Sequence, residues 1–186
     1  MNIVNDVATI WISGVTASGK TTLGKLLYKE LLNTGVKNLI HLDGDDLRRR
    51  QFKVYGHSLE ERIELIQKYI EIIQEENKKG LIVIISTVSH KKEMRDSARN
   101  QLNNFMEINL LCDLETCSHR DFKSIYSQVD KDIDQCLPGV TEPYMVSENA
   151  EIILDTGKNS IEDCKNILLD GVLKHLKGLP SKNKIA

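Results

Sequence analysis

A chain of 186 residues with 40% hydrophobic and 28% charged residues can bury one core and is too apolar for a disordered segment. Its formal net charge of −2 argues against a general nucleic-acid binder, which would carry a basic excess, yet leaves room for a local site for a small anion. No apolar run reaches the roughly 20 residues of a membrane span.

Ala8–Ser13 is a short apolar run closing on Gly14, the pattern of a buried strand. The residues before it lack a charged n-region, so the run reads as a strand and not as a signal peptide. From Thr21 to about Asn33, Leu23, Leu26, Leu27 and Leu31 recur at helical spacing. Asn38–Asp43 reads as a second strand. Ser58 with Glu61 three residues on forms a capping box, and Leu59, Ile63, Ile66, Ile70 and Ile73 line one helical face as far as Lys79–Gly80. Leu81–Ser86 is apolar on both faces, as a central parallel strand is. Lys91–Asn100 is expected to be helical, Met106–Asp113 a fourth strand and Glu151–Thr156 a fifth. A last helix starts near Ser160 with Ile161, Cys164, Ile167, Leu168 and Val172 on one side.

Strands alternating with helices imply βαβ units and a five-stranded, mainly parallel sheet with helices on both faces, a three-layer α/β fold. One domain is expected over residues 1–178, with 179–186 as a frayed tail. Residues from about 120 to 149 have polar, proline and glycine content with little periodicity; a loop that long in a compact domain is usually functional or disordered. Cys112, Cys117, Cys136 and Cys164 form no CxxC pair, which suits free thiols in a reducing cytoplasm. A zinc site from Cys112, Cys117 and His119 fits no usual ligand spacing.

Gly14, Gly19, Lys20 and Thr21 satisfy G-x-x-x-x-G-K-S/T. The glycines let the backbone curl so that successive N–H groups of Gly14–Thr22, through Val15, Thr16, Ala17 and Ser18, aim inward at phosphate oxygens. Lys20 reaches the β- and γ-phosphates, Thr21 offers a hydroxyl to Mg²⁺, and the following helix aims its positive end at the same anion. A strand before and a helix after supply the context of a nucleoside triphosphate site in a P-loop NTPase fold. A GTPase would need an N-K-x-D stretch, which the chain lacks. The long segment after residue 120 fits a kinase lid, which keeps water from the phosphoryl group.

Leu42–Arg50 (LDGDDLRRR) falls at the end of the second strand, at the carboxyl edge of the sheet, where ligands bind in such folds. Asp43 and Asp45 both come near the γ-phosphate on this reading. One can accept the proton of an attacking hydroxyl while the other helps hold Mg²⁺ or its waters. The bland alternative is a solvated turn with a helix N-cap.

Together GVTASGKTT, LDGDDLR, GHSLEERIE, ISTVS, RDFKSIY and PGVTEPY, in this order and spacing, resemble the adenylylsulfate kinase family from about Ile10 to the last helix. That family phosphorylates the ribose 3′-hydroxyl of adenylyl sulfate with MgATP. The resemblance implies Asp45 as catalytic base, Asp43 near the metal, and Arg48 and Arg62 on the phosphate-bearing end of the acceptor. It places Ser89 as a hydrogen-bonding partner of the acceptor, and Arg120 and Lys123 as lid cations over ATP. It further implies a small-molecule nucleotide substrate, no nucleic-acid or membrane partner, a cytoplasmic location and a family habit of forming homodimers.

The pattern breaks on the acceptor side. Where the family clamps adenine between two phenylalanines, this chain has His57 and Leu137. The asparagine of R-x-E-N is Leu65, the arginine two residues on is Gln67, and S-P-F has become Ser89, His90 and Lys91. Lys91 and His90 add positive charge, which fits an acceptor with a different anionic end. A relative of the family phosphorylates a cytidine nucleotide carrying a phosphoramidate, and a smaller pyrimidine would need less aromatic cover. The reading from another class is a nucleotide-binding regulatory subunit without catalysis.

Overall fold

The computed structural model describes residues 6–52, 55–56, 58–121, 126 and 137–179. Five strands form one sheet: β1 (Thr9–Gly14), β2 (Leu39–Asp43), β3 (Ile82–Ser86), β4 (Phe105–Leu111) and β5 (Ile152–Asp155). Their order is β2-β3-β1-β4-β5, and all four pairings are parallel. The described helices are α1 (Lys20–Asn33), α2 (Gly44–Gln51), α3 (Leu59–Lys78), α4 (Lys92–Gln101), α5 (Leu114–Arg120) and α6 (Ile161–Gly178). None is long and apolar enough to cross a membrane.

Strand alternation builds the two cores. On β1, Ile10 and Ile12 face one way and join Leu23, Leu27, Leu31, Leu168 and Val172 under α1 and α6. Trp11 faces the other way and joins Ile66, Ile70, Ile73 and Met94 under α3 and α4. The sheet is thus the middle of three layers, and its central strands are buried on both faces. Each fully buried Ile or Leu contributes about 1.5–3 kcal/mol relative to an exposed one.

The capping box on α3 is present: Ser58 Oγ accepts from Glu61 N, and Glu61 reaches back to Ser58 N at 3.1 Å. Ile63, which the period puts on the buried face, is 41% exposed, because the buried stripe runs through Leu65, Ile66, Tyr69, Ile70 and Ile73. On α6, Ile161 and Ile167 also face solvent, and Leu176 takes a place in the core. The short helix α5 goes beyond the sequence reading, while α2 carries the helix N-cap weighed there as the bland alternative. Each begins at an aspartate N-cap, Asp43 accepting from Asp46 N and Asp113 from Thr116 N.

Candidate active site

The loop after β1 opens α1 with Gly19 at φ 94°, and no side chain caps the helix. The helix dipole favours an anion at this uncapped end. Gly14 is fixed by crowding, since a Cβ on it would lie 2.6 Å from Ser18 Oγ and 2.9 Å from the Leu110 carbonyl oxygen. The predicted loop residues divide into two sets. Thr16, Ala17, Gly19, Lys20, Thr21 and Thr22 line a cavity of about 480 Å³. Gly14, Val15 and Ser18 are buried beneath them. Thr156 braces the loop from β5's end by donating its hydroxyl to the Ser18 carbonyl at 2.9 Å. Lys20 Nζ donates to the Val15 carbonyl at 2.6 Å, which keeps the ammonium over the loop.

Behind the loop, α1 packs tightly against the sheet. Ser86 Oγ donates to the Lys20 carbonyl at 3.1 Å and meets His41 Nε2 at 3.1 Å. Burial pushes the His41 imidazole pKa down, with Asp43 opposing. Only glycine fits at position 24, where a Cβ would lie 2.5 Å from Ser86 Oγ and 2.6 Å from His41 Nε2.

Asp43, at the end of β2, receives the Thr21 hydroxyl at 2.6 Å on Oδ2. Asp45 follows on the first turn of α2 and lines the same cavity, as does Arg48 one turn on. Arg62, Leu65, Ile66 and Tyr69 recur at i, i+3, i+4 and i+7 on α3 and turn one face to the cavity. Arg48 also donates to the Tyr55 and Gly56 carbonyls, at 2.9 and 2.5 Å, which holds the approach to α3. Tyr69 donates to the Gly44 carbonyl at 2.6 Å, and burial pushes its phenol pKa well up. Arg120 and Leu137 line the cavity as well. Arg120 donates to the Thr156 carbonyl at 3.1 Å.

Three expected acceptor contacts are placed otherwise. Ser89 is fully buried, and its hydroxyl accepts from the Trp11 indole at 2.9 Å. Lys91 pairs with Glu142 at 2.5 Å, and neither Ser89 nor Lys91 lines the cavity. His90 supplies no charge at neutral pH: it is fully buried, and burial with nearby Arg62 and Lys91 pushes its pKa down to about 4. His57, Lys123 and Cys136 lie outside the described residues, as do much of the lid and residues 180–186.

The sequence reading missed Tyr69, Thr87 and Tyr126. Tyr69 was findable as the i+7 neighbour of Arg62. Tyr126 donates to the Thr16 carbonyl at 2.9 Å and so joins the lid to the phosphate loop, a contact between residues 110 apart that no local pattern signals. Cys112, Cys117 and Cys164 are free thiols. Among the described residues no group of three or more His, Cys, Asp or Glu is placed to hold a metal ion, so Cys112, Cys117 and His119 do not assemble into one.

Comparison with known proteins gives the family. The profile of the family described as adenylylsulphate kinase matches residues 6–155. An adenylyl-sulfate kinase of Thermodesulfovibrio yellowstonii is 39% identical over 86% of this chain and 80% of its own. A cytidine diphosphoramidate kinase of Campylobacter jejuni is 34% identical over 89% of this chain and 96% of its own. In fold, the Mycobacterium tuberculosis APS kinase in complex with AMPPNP and APS superposes with a TM-score of 0.79 at 24% identity, covering 90% of this chain and 98% of that one. Enzymes so named are phosphotransferases with a hydroxyl acceptor. The chain belongs to the adenylylsulphate kinase family.

Proposed function

We propose that this kinase moves the γ-phosphoryl group of ATP to the 3′-hydroxyl of a nucleotide that carries a second anionic group, adenylyl sulfate or a close relative of it. The observation that carries this reading is one continuous cavity. It runs from the phosphate loop at Lys20 and Thr21, past Asp43 and Asp45, to Arg48 and Arg62. Donor and acceptor therefore share one chamber, with a carboxylate between them.

The residues present suit Mg²⁺. Thr21 Oγ1 and Asp43 Oδ2 are hard oxygen donors 2.6 Å apart at the mouth of the loop, and Mg²⁺ usually takes one or two protein oxygens plus waters and phosphates. When bound, the ion neutralises charge on the phosphate oxygens. Lys20 adds charge at the β- and γ-phosphates. Asp45 accepts the proton of the 3′-hydroxyl as its oxygen bonds to the γ-phosphorus and the bond to the β–γ bridging oxygen breaks, releasing ADP. Arg48 and Arg62 suit bidentate contact with the anionic end of the acceptor. Arg120 and Leu137, both at the cavity wall, serve ATP and the acceptor base on this reading, roles that the family resemblance also gives Lys123 and His57.

A cytidine diphosphoramidate-type acceptor is the second reading, favoured by Leu137 at the cavity wall. An aromatic ring there would add about 1–3 kcal/mol of stacking on a base, and a smaller pyrimidine needs it less. The same reading carries one domain over residues 1–178, a cytoplasmic location and a homodimer; sedimentation of the purified protein tests the last. The deciding experiment is coupled ADP release with MgATP and adenylyl sulfate, 5′-AMP, a cytidine diphosphate derivative with an amidate end, and a sugar acid. Fast turnover on adenylyl sulfate supports the first reading, and turnover confined to the cytidine compound supports the second. Turnover on none of the nucleotides refutes both.

A further inference from the structure

Two walls of the acceptor half come from distant parts of the chain. Thr87 and Val88 follow β3, and Leu137 belongs to the far end of the lid; all three line the cavity. Leu137 sits at the start of a tight turn, donating its N–H to Thr141 Oγ1 at 2.8 Å, with Gly139 N donating to the Glu142 carbonyl at 2.7 Å. That turn is stitched to the loop after β3. Lys91 Nζ meets Glu142 Oε2 at 2.5 Å, and Met145 N donates to the His90 carbonyl at 2.9 Å. Arg95, 2% exposed, donates to the Ser89 carbonyl at 2.5 Å and to the Met145 carbonyl at 2.7 Å. Its Nε meets the buried Glu107 at 3.1 Å. Neither Lys91, Arg95 nor Glu142 lines the cavity, so whatever they do for the acceptor they do through other residues.

We infer that the Lys91–Glu142 ion pair, backed by Arg95, is a positioning strap that holds the Leu137 wall against the Thr87–Val88 wall and so sets the width of the acceptor half. Lys91 is thereby a positioning residue and not an acceptor ligand. Arg95 fixes the base of the strap, where a fork-shaped cation can bond two carbonyls and a carboxylate at once. Lys91 and Glu142 close its outer end, where the pair can be exchanged without disturbing the core. The inference rests on the reading of this half of the cavity as the acceptor site.

The test is charge exchange: Lys91→Glu, Glu142→Lys, and the double variant Lys91→Glu/Glu142→Lys. Each single variant sets like charges in contact and is expected to raise the acceptor KM about tenfold, with the ATP KM within about twofold of wild type. The double variant is expected to recover most of that loss. A second readout needs no acceptor. Trp11 is the sole tryptophan, and its indole donates to Ser89 in the strapped loop, so acrylamide quenching should rise in each single variant and fall back in the double one. Loss in Lys91→Glu with Glu142→Lys unaffected, or no recovery on exchange, overturns the strap and makes Lys91 a direct ligand. Should wild type turn over no nucleotide at all, the functional reading fails while quenching still judges the strap: unchanged quenching in the single variants overturns it.

Discussion

Asp43 does two jobs with two oxygens, and substitution can separate them. Oδ1 caps α2 by accepting from Asp46 N at 3.2 Å, and Oδ2 accepts from the Thr21 hydroxyl at 2.6 Å. Asp43→Ala removes both. Loss of an N-cap costs about 1 kcal/mol, and an exposed hydrogen bond adds about 0.5–1 kcal/mol. For a chain of this length each kcal/mol lowers Tm by about 2–4 °C, so Asp43→Ala should melt about 3–8 °C below wild type. Asp43→Asn keeps a capping oxygen and should melt within about 2 °C of wild type, because Asn caps as well as Asp. Its neutral amide is a poor Mg²⁺ ligand, so ADP release should fall at least about 100-fold and require far more magnesium. The assays are thermal melts in metal-free buffer and magnesium titrations of the coupled reaction. A Tm loss in Asp43→Asn equal to that in Asp43→Ala would refute the side-chain cap. Wild-type magnesium dependence in Asp43→Asn would refute the metal role.

Asp45→Ala should bind ATP nearly as wild type does and lose turnover; turnover that survives would mean that another group takes the proton. Gly24→Ala gains about 1 kcal/mol of helix propensity. Its methyl meets Ser86 and His41 at 2.5 and 2.6 Å, an overpacking cost of about 1–3 kcal/mol; urea unfolding should show net destabilisation, and a stabilised variant would contradict the close packing. His90, with its pKa pushed down to about 4 in the fold against about 6.5 unfolded, makes the unfolded chain bind the extra proton between those values. Its contribution is complete above pH 6.5 and is lost as pH falls to 4, by on the order of 3 kcal/mol at most. The melting difference between wild type and His90→Gln should therefore shift against wild type from pH 7 to pH 4.5, and a difference independent of pH would exclude the burial account.

What the sequence disclosed and what it hid follow one rule. The phosphate loop, the Ser58–Glu61 box and the central strands are written in runs of a few residues, and local patterns report them. Ile63 and Ile161 belong to regular apolar stripes, yet among the described residues they stay largely exposed, and periodicity cannot say where a neighbouring layer ends. The helices at Gly44–Gln51 and Leu114–Arg120 are short and polar, with little apolar stripe to announce them; only their capping aspartates do. The acceptor side was hardest. Ser89 is drawn inward by Trp11, which lies 78 positions away, and Lys91 is claimed by Glu142, which lies 51 positions away. Such pairings are decided by topology, and a motif that reads Ser89 and Lys91 as ligands has no means of seeing their partners.

The strand order carries one more consequence. β1 stands in the middle of the sheet with a parallel neighbour on each side, while β2 is an edge strand among the described residues. Interior amides exchange with solvent only when the sheet parts, whereas an edge can fray alone. Exchange at Ile10–Ile12 should thus be slower than at Ile40–Leu42. The phosphate loop hangs from the more durable strand, and Asp43 and Asp45 hang from the frailer one. If Asp45 takes the proton as proposed, partial opening would remove it before the nucleotide grip, and a damaged molecule would hold ATP without spending it.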